Sequence, residues 1–260
     1  MAPAAVVARA AERGVQALAL TDHDGVSGLA EARLAAHSAG IRFIDGVEIS
    51  VSWHEHTIHV VGLAVDPHSA ALIEGLRVNR SGRNGRAERI AAQLAAVGIE
   101  GALEGARAYV TNPDLVSRTH FARFLVETGH ARSTQAVFDR FLGEGRPGYV
   151  PHLWATLDTA IGWILVAGGV PVLAHPGRYK LDENGRTALL EHFRDAGGLG
   201  IEVVTGSHSP DQYGYWAKRA NEYGLLASMG SDFHGPRETY KDLGELPPLP
   251  SSCVPVWTKL

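Results

Sequence analysis

Short apolar runs, each ending in a polar cluster, recur along this chain and alternate with stretches of helical spacing. Val15 to Leu20 is the first such run, bounded by Gly14 and by Thr21-Asp22-His23-Asp24-Gly25, and it predicts a buried strand. A helix from Pro3 precedes it, with Val6, Val7 and Ala10 on one face and Gly14 as its stop. A second helix is expected from Ser27, its N-cap, to Ala39, with Gly40 ending it. Ile41–Ser50 and Thr57–Val65 predict strands joined by a hairpin at Trp53-His54-Glu55-His56. Alternation places Glu48 on the face opposite Val47 and Ile49, and His59 opposite Ile58 and Val60.

Asp66-Pro67-His68 opens a long helical stretch that ends near Val97, before Gly98. Arg77, Arg80, Arg83, Arg86 and Arg89 recur in it every three residues, a step that spirals round a helix and forms no single stripe. A solvated face and contacts to a phosphorylated or polynucleotide substrate are both open readings. Short helical segments with Gly and Pro stops follow to Pro147 and read as an inserted lobe. The strand series then resumes. A helix capped by Thr156 leads to strand 169–174 and His175-Pro176-Gly177-Arg178-Tyr179. Helix 186–196 leads to strand 199–204, with Glu202 inside it and Thr205, Ser207 and His208 past its end. Helix 210–223 leads to strand 225–228 and Gly230-Ser231-Asp232-Phe233-His234-Gly235, and a proline-rich tail from Pro247 closes against the surface. The order predicts an α/β protein divided into a barrel part over 1–65, a helical insertion over 66–150 and a second barrel part over 151–260.

Composition narrows this picture. The chain has 260 residues, 45% of them hydrophobic and 20% charged, enough to bury a full core. A net charge of −4 provides no global basic field for nucleic acid, although a local patch is compatible with it. One cysteine, Cys253, excludes an internal disulfide and fits a reducing compartment. With no spanning apolar run and no basic-then-apolar leader, the expectation is a cytoplasmic protein without a membrane partner.

Three strands therefore end in histidine clusters, two of them with carboxylates beside the histidine, while Glu48 and His59 lie on two more strands, and His120 opens a helix in the lobe. Such sets without cysteine suit Zn, Mn or Fe in a hydrolytic site. Asp22 and Asp24 are placed to orient His23. His37, His68, His130, His152 and His192 carry no motif and are expected at the surface.

The motifs TDHD, GVEIS, IHVVGL, SRTHFAR, LAHPGRY and GSDFH together resemble those of the PHP (polymerase and histidinol phosphatase) family. The segment FLGEGRPGYVP and the insertion resemble its branch of bacterial 3′,5′-nucleoside bisphosphate phosphatases and 5′-to-3′ exoribonucleases. The resemblance implies a distorted (β/α)7 barrel with up to three divalent metal ions at its mouth. It makes Glu48 a bridging carboxylate, with His59 and His120 in the same metal site, His23 and His234 in a second and Asp232 in a third. Arg118 and Arg178 become phosphate-binding and catalytic arginines. His175 becomes an outer ligand or a proton donor to the leaving group, and His208 a substrate contact or a loop residue.

The chain departs from the family at its start, where a strand bearing an H-x-H pair is absent, so one barrel strand and several ligands are missing. His54 and His56 have the right letters on a turn. The expectation is an internal start to a longer natural protein and reduced metal occupancy. The implied activity is metal-assisted hydrolysis of a nucleotide phosphomonoester and of short RNA from the 5′ end, with no obligate protein partner. A small-phosphoester phosphatase, such as one acting on histidinol phosphate, and an inactive nucleotide-binding remnant are the alternatives.

Overall fold

The longest strand, β2 (Arg42–Trp53), sets the sheet, because its neighbours on both sides are specified by contacts it makes. On one side β1 (Ala17–Leu20) pairs with it in parallel, Leu18 opposite Phe43. On the other, β3 (His56–Leu63) returns antiparallel through the expected hairpin, Trp53 opposite His56. Gly46 permits this crowding, since a Cβ there would lie 2.7 Å from Thr21 Cγ2. This computed structural model describes residues 1–110, 116–151, 153–236 and 241–260, and of residues 82–84 only the backbone. The Arg83 side chain and His152 lie outside the described residues.

The sheet continues through β5 (Val170–Leu173), antiparallel to β3, then β6 (Gly200–Thr205) and β7 (Leu226–Gly230), both parallel to β5. A two-residue strand, β4 (Ala155–Thr156), pairs with the end of β2. This mixed sheet curls into a half-barrel surrounded by helices α1 (Pro3–Glu12), α2 (Leu29–Ala39), α7 (Leu157–Val166), α8 (Glu183–Asp195) and α9 (Pro210–Glu222). Val47, Ile49, Val51, Ile58 and Val60 face the helices with Ile164, Phe193 and Trp216. Val61, Leu63, Val170, Val172 and Ala174 form a separate cluster on the other face. By alternation Glu48 and His59 share that second face, so along the strands it changes from apolar to ionisable.

The described residues form two compact units, 1–76 with 155–260, and 77–154. The division falls within α3 (Ala70–Ala95), because its first turns place Leu72 and Leu76 in the barrel core. Residues 77–154 have their own core, with Ile90, Leu94, Phe121, Leu125 and Leu142. Here α4 (Ala102–Arg107), α5 (Arg118–Glu127), α6 (Thr134–Val137) and a π-turn at Phe138–Leu142 complete the lobe.

Two local expectations are corrected. Ser27 does not cap α2, whose cap is Gly28 with no side-chain bond. The tail also does more than close on the surface. Val256 is buried in the second-face cluster, and the Val254 carbonyl accepts from Ala227 N at 2.8 Å, which satisfies the edge of β7. Among the described residues no helix is long and apolar enough to cross a membrane.

Candidate metal centre

Past β1 the chain stays bonded to β2: Glu48 N donates to Asp22 O at 3.1 Å and Asp24 N to Glu48 O at 2.8 Å. Asp24, fully buried at φ 51°, accepts from Ser50 N at 2.8 Å and Ser50 Oγ at 2.9 Å. These bonds hold His23 against Glu48, its Nδ1 3.7 Å from Oε2. Glu48 Oε1 lies 2.9 Å from His59 Nδ1 and 3.0 Å from His175 Nε2. The Tyr179 hydroxyl fixes the last two relative to each other, accepting from His59 N and donating to Ala174 O, both at 2.9 Å.

At the end of β5 the backbone of His175 turns into the left-handed region, φ 27°, and its N–H donates to Glu202 Oε2 at 2.7 Å. Asp232 also has positive φ, 53°, and accepts from Ser207 Oγ and from Arg178 at 3.2 Å. Non-glycine residues in this region are strained, and here three of them, Asp24, His175 and Asp232, touch one cluster. The His234 ring lies 5.8 Å from that of His23. Burial alone would raise the Glu48 carboxyl. The imidazoles of His23, His59 and His175 outweigh it and hold Glu48 well below the usual carboxylate range. Glu202 is pushed well above that range by burial, and by the charges of Asp232 and Glu48, against the opposing His175 N–H.

The donor set fits divalent metal ions. Glu48 Oε1, His59 Nδ1 and His175 Nε2 form a triangle with edges of 2.9, 3.0 and 3.2 Å. Ligands about 2.1 Å from an ion are separated by about 3.0 Å in an octahedron and about 3.4 Å in a tetrahedron. Among the described residues two groups have donor atoms within 4.8 Å of one another, His23 with Glu48 and His59, and Glu48 with His175 and Asp232. His175 Nδ1 is buried and has no hydrogen-bond partner among the described residues. Imidazole and carboxylate together, without thiolate, suit Mn, Fe or Zn.

Of the residues expected in the site, the barrel unit brings together His23, Glu48, His59, His175, Arg178, Asp232 and His234. His175 joins a donor group directly. At 3% side-chain exposure and on Glu48, it is badly placed to protonate a leaving alcohol. His120 and Arg118 belong to the lobe. His120 Nδ1 accepts from Ser117 N at 3.0 Å as part of a capping box on α5. Arg118 donates to Leu142 O at 3.4 Å and lies over the rings of Phe138 and Tyr149.

His208, expected as a substrate contact or a loop residue, is buried and bonded within the fold. Its Nε2 accepts from Gly177 N at 2.9 Å, its Nδ1 faces Val203 O at 3.2 Å, and its ring stacks on Trp216. His54 and His56 cannot replace a strand-borne pair, since the hairpin lies about 17 Å along β2 from Glu48 at about 3.3 Å per residue. His192 is pinned between Trp53 and Asp158. Glu202, Ser207 and Tyr179 are site residues that the sequence placed on their elements without giving them a role in the site. Glu202 carries the same signal as Glu48, an acid between apolar residues of a core strand.

A curled mixed sheet with one carboxylate shared between two imidazole and carboxylate donor groups defines a metal-dependent hydrolase of the α/β-barrel class. The comparisons give the family. The PHP domain matches residues 1–203, and the chain belongs to that family. A 3′,5′-nucleoside bisphosphate phosphatase of Chromobacterium violaceum is 49% identical over 260 residues, spanning 100% of this chain and 91% of the relative. A 5′-3′ exoribonuclease of Escherichia coli is 42% identical over 259 residues, 99% of this chain and 88% of the relative. The structure of a Chromobacterium violaceum amidohydrolase with bound sulfate and no metal is 49% identical with a TM-score of 0.97, covering 100% of this chain and 90% of that one. A Bifidobacterium adolescentis protein described as a metal-dependent phosphoesterase shares the fold, with a TM-score of 0.81 at 24% identity over 99% of this chain and 88% of its own.

Proposed function

We propose that this chain is a divalent-metal-dependent phosphoesterase that converts 3′,5′-nucleoside bisphosphates to 5′-monophosphates and shortens RNA from its 5′ end. The observation that carries the reading is the position of Glu48 Oε1 between His59 and His175, with Oε2 toward His23. The names of the 49% and 42% identical relatives support the substrate class, and the sulfate in the 49% identical structure supports a tetrahedral oxyanion. Manganese is the proposed metal and the cytoplasm the proposed compartment. The nucleotide or short RNA is the proposed partner, with no membrane and no obligate protein partner.

Divalent ions held by His23, Glu48, His59, His175, Asp232 and His234 would polarise the phosphate and activate water. Hydrolysis adds the water oxygen to phosphorus and breaks the P–O3′ bond, with a proton passing to the departing 3′-oxygen. Arg178, with its side chain half exposed beside Asp232, supplies a planar fork that matches phosphate oxygens. Arg118 offers a second in the lobe. Asp24 and Tyr179 keep the strands carrying Glu48 and His59 in register, so that the donor atoms need not reorganise. The test is Mn²⁺-dependent phosphate release from adenosine 3′,5′-bisphosphate, with Glu48→Gln as the blank. A drop of about a hundredfold or more is expected on removing this ligand. Equal rates for the two proteins would refute the reading.

A further inference from the structure

The lobe differs from the barrel unit in charge and in the kind of cation it carries. Residues 77–154 contain eleven arginines, no lysine and seven acidic residues, a formal charge of +4 in a chain whose total is −4. All four lysines lie in the barrel unit. Arginine and lysine serve equally as solvated point charges, but only the flat guanidinium stacks on rings.

Stacking is what the lobe shows. Tyr149 and Trp154, both outside helices, are the aromatic residues that precede β4. Arg86, on α3, donates to Val150 O at 2.9 Å and lies 6.0 Å above the Trp154 ring. Arg118, at the start of α5, lies 5.8 Å above Tyr149 and 5.7 Å above Phe138. Two groups result, Arg86 with Trp154 and Arg118 with Tyr149 and Phe138, and the Arg86 bond to Val150 O, next to Tyr149, links them into a short ladder of aromatic and guanidinium side chains. All five side chains are partly buried, and Leu153 beside them is 86% exposed. Among the described residues no carboxylate pairs with Arg118, so this partly buried cation gains from an incoming anion.

We infer that this ladder docks single-stranded RNA, its rings and guanidinium planes stacking bases while the guanidinium edges hold successive phosphates. The inference rests on the phosphoesterase reading for its choice of RNA, and it adds a second contact surface remote in sequence from the metal ligands of the barrel unit. Rows of aromatic and basic side chains bind single strands without sequence preference, and each stacked base is worth about tenfold or more in affinity.

The test measures binding of a 5′-phosphorylated, fluorescein-labelled oligoadenylate of about ten nucleotides, a length in the range of such sites, in EDTA to prevent turnover. Trp154→Leu should weaken binding about tenfold, and Trp154→Phe, which keeps a stacking ring, should restore it to within about threefold. Arg86→Ala should reduce the slope of log affinity against log salt by about 0.7. Phosphate release from adenosine 3′,5′-bisphosphate should match the parent in all three. Parent-like RNA affinity and slope in Trp154→Leu and Arg86→Ala would overturn the inference, as would a parent protein that does not bind the oligonucleotide. A folded Leu variant that Phe does not rescue would also overturn it. If Trp154→Leu does not fold, the Phe and Arg86→Ala arms decide. Loss of RNA affinity in the variants of a chain that releases no phosphate would leave the ladder standing and remove the phosphoesterase reading.

Discussion

Replacing Asp24 by alanine tests whether the loop after β1 is bolted to β2 by a single carboxylate. Asp24 is fully buried and accepts two hydrogen bonds from Ser50, which is 3% exposed. A hydrogen bond to a charged group contributes about 1.5–3 kcal/mol, so losing both should cost about 2–5 kcal/mol once local relaxation is allowed. Alanine also fits the left-handed backbone at this position less well than aspartate. Such a loss is a large part of the stability of about 5–15 kcal/mol typical of a domain. Urea unfolding followed by circular dichroism should show a lower midpoint at unchanged slope. Asp24→Asn should cost only about 1 kcal/mol, because its carbonyl can accept from Ser50 N while its amide donates to Ser50 Oγ. Ser50→Ala removes the hydroxyl bond but not the backbone one. In that background Asp24→Ala should cost about half as much. An Asp24→Ala loss below about 1 kcal/mol, or strict additivity with Ser50→Ala, would refute the argument.

Gly230→Ala should act on the metal centre without touching it. The new Cβ would lie 2.5 Å from Glu202 Oε1, so the carboxylate that holds the His175 N–H must swing away. Mn²⁺ titration calorimetry should show affinity about tenfold weaker, and an unchanged isotherm would remove Glu202 from the account. His208 titrates at about 4 instead of 6.5, because burial disfavours its charged form. The unfolded chain binds this proton first as pH falls, so stability should decline from about pH 6.5 to about pH 4, by about 3 kcal/mol, and hold steady above that window. His208→Phe, which keeps a ring on Trp216, should flatten this part of the urea-stability profile; a parallel profile would count against the assignment. Mn²⁺ at about a hundred times its dissociation constant should stabilise the parent by about 2.7 kcal/mol and raise its melting temperature. EDTA should reverse the shift, and Glu48→Gln should lack it.

The strands were legible because their alternation is strong. Glu48 between Val47 and Ile49 could stand only against cations or water, and it stands against three imidazoles. Glu202 sends the same signal between Ile201 and Val203, but no motif follows it directly and its partner is a backbone N–H, to which sequence periodicity is blind. His208 sits in a loop past a strand end, as the ligand candidates do. Only the fold shows that its ring turns inward onto Trp216, which lies on the next helix. Tyr179 reads from the sequence as a packing residue, and only the fold shows its hydroxyl bridging two strands more than a hundred residues apart in the chain. Ser27 looked like a better cap than Gly28, and the helix begins one residue later than that preference implied.

β3 and β5 are neighbours in the sheet, Leu63 opposite Val170, although the whole lobe is spliced between them. Closing such an excursion costs entropy only as the logarithm of its length, about 0.6 kcal/mol for each doubling. Insertions into residues 77–154 therefore cost the barrel little. The candidate metal ligands His23, Glu48, His59, His175 and Asp232 all lie outside that stretch. The candidate ligands of the barrel unit and the insert that carries Arg118 thus lie on separate modules, so the insert can be trimmed or lengthened while those ligands keep their strands.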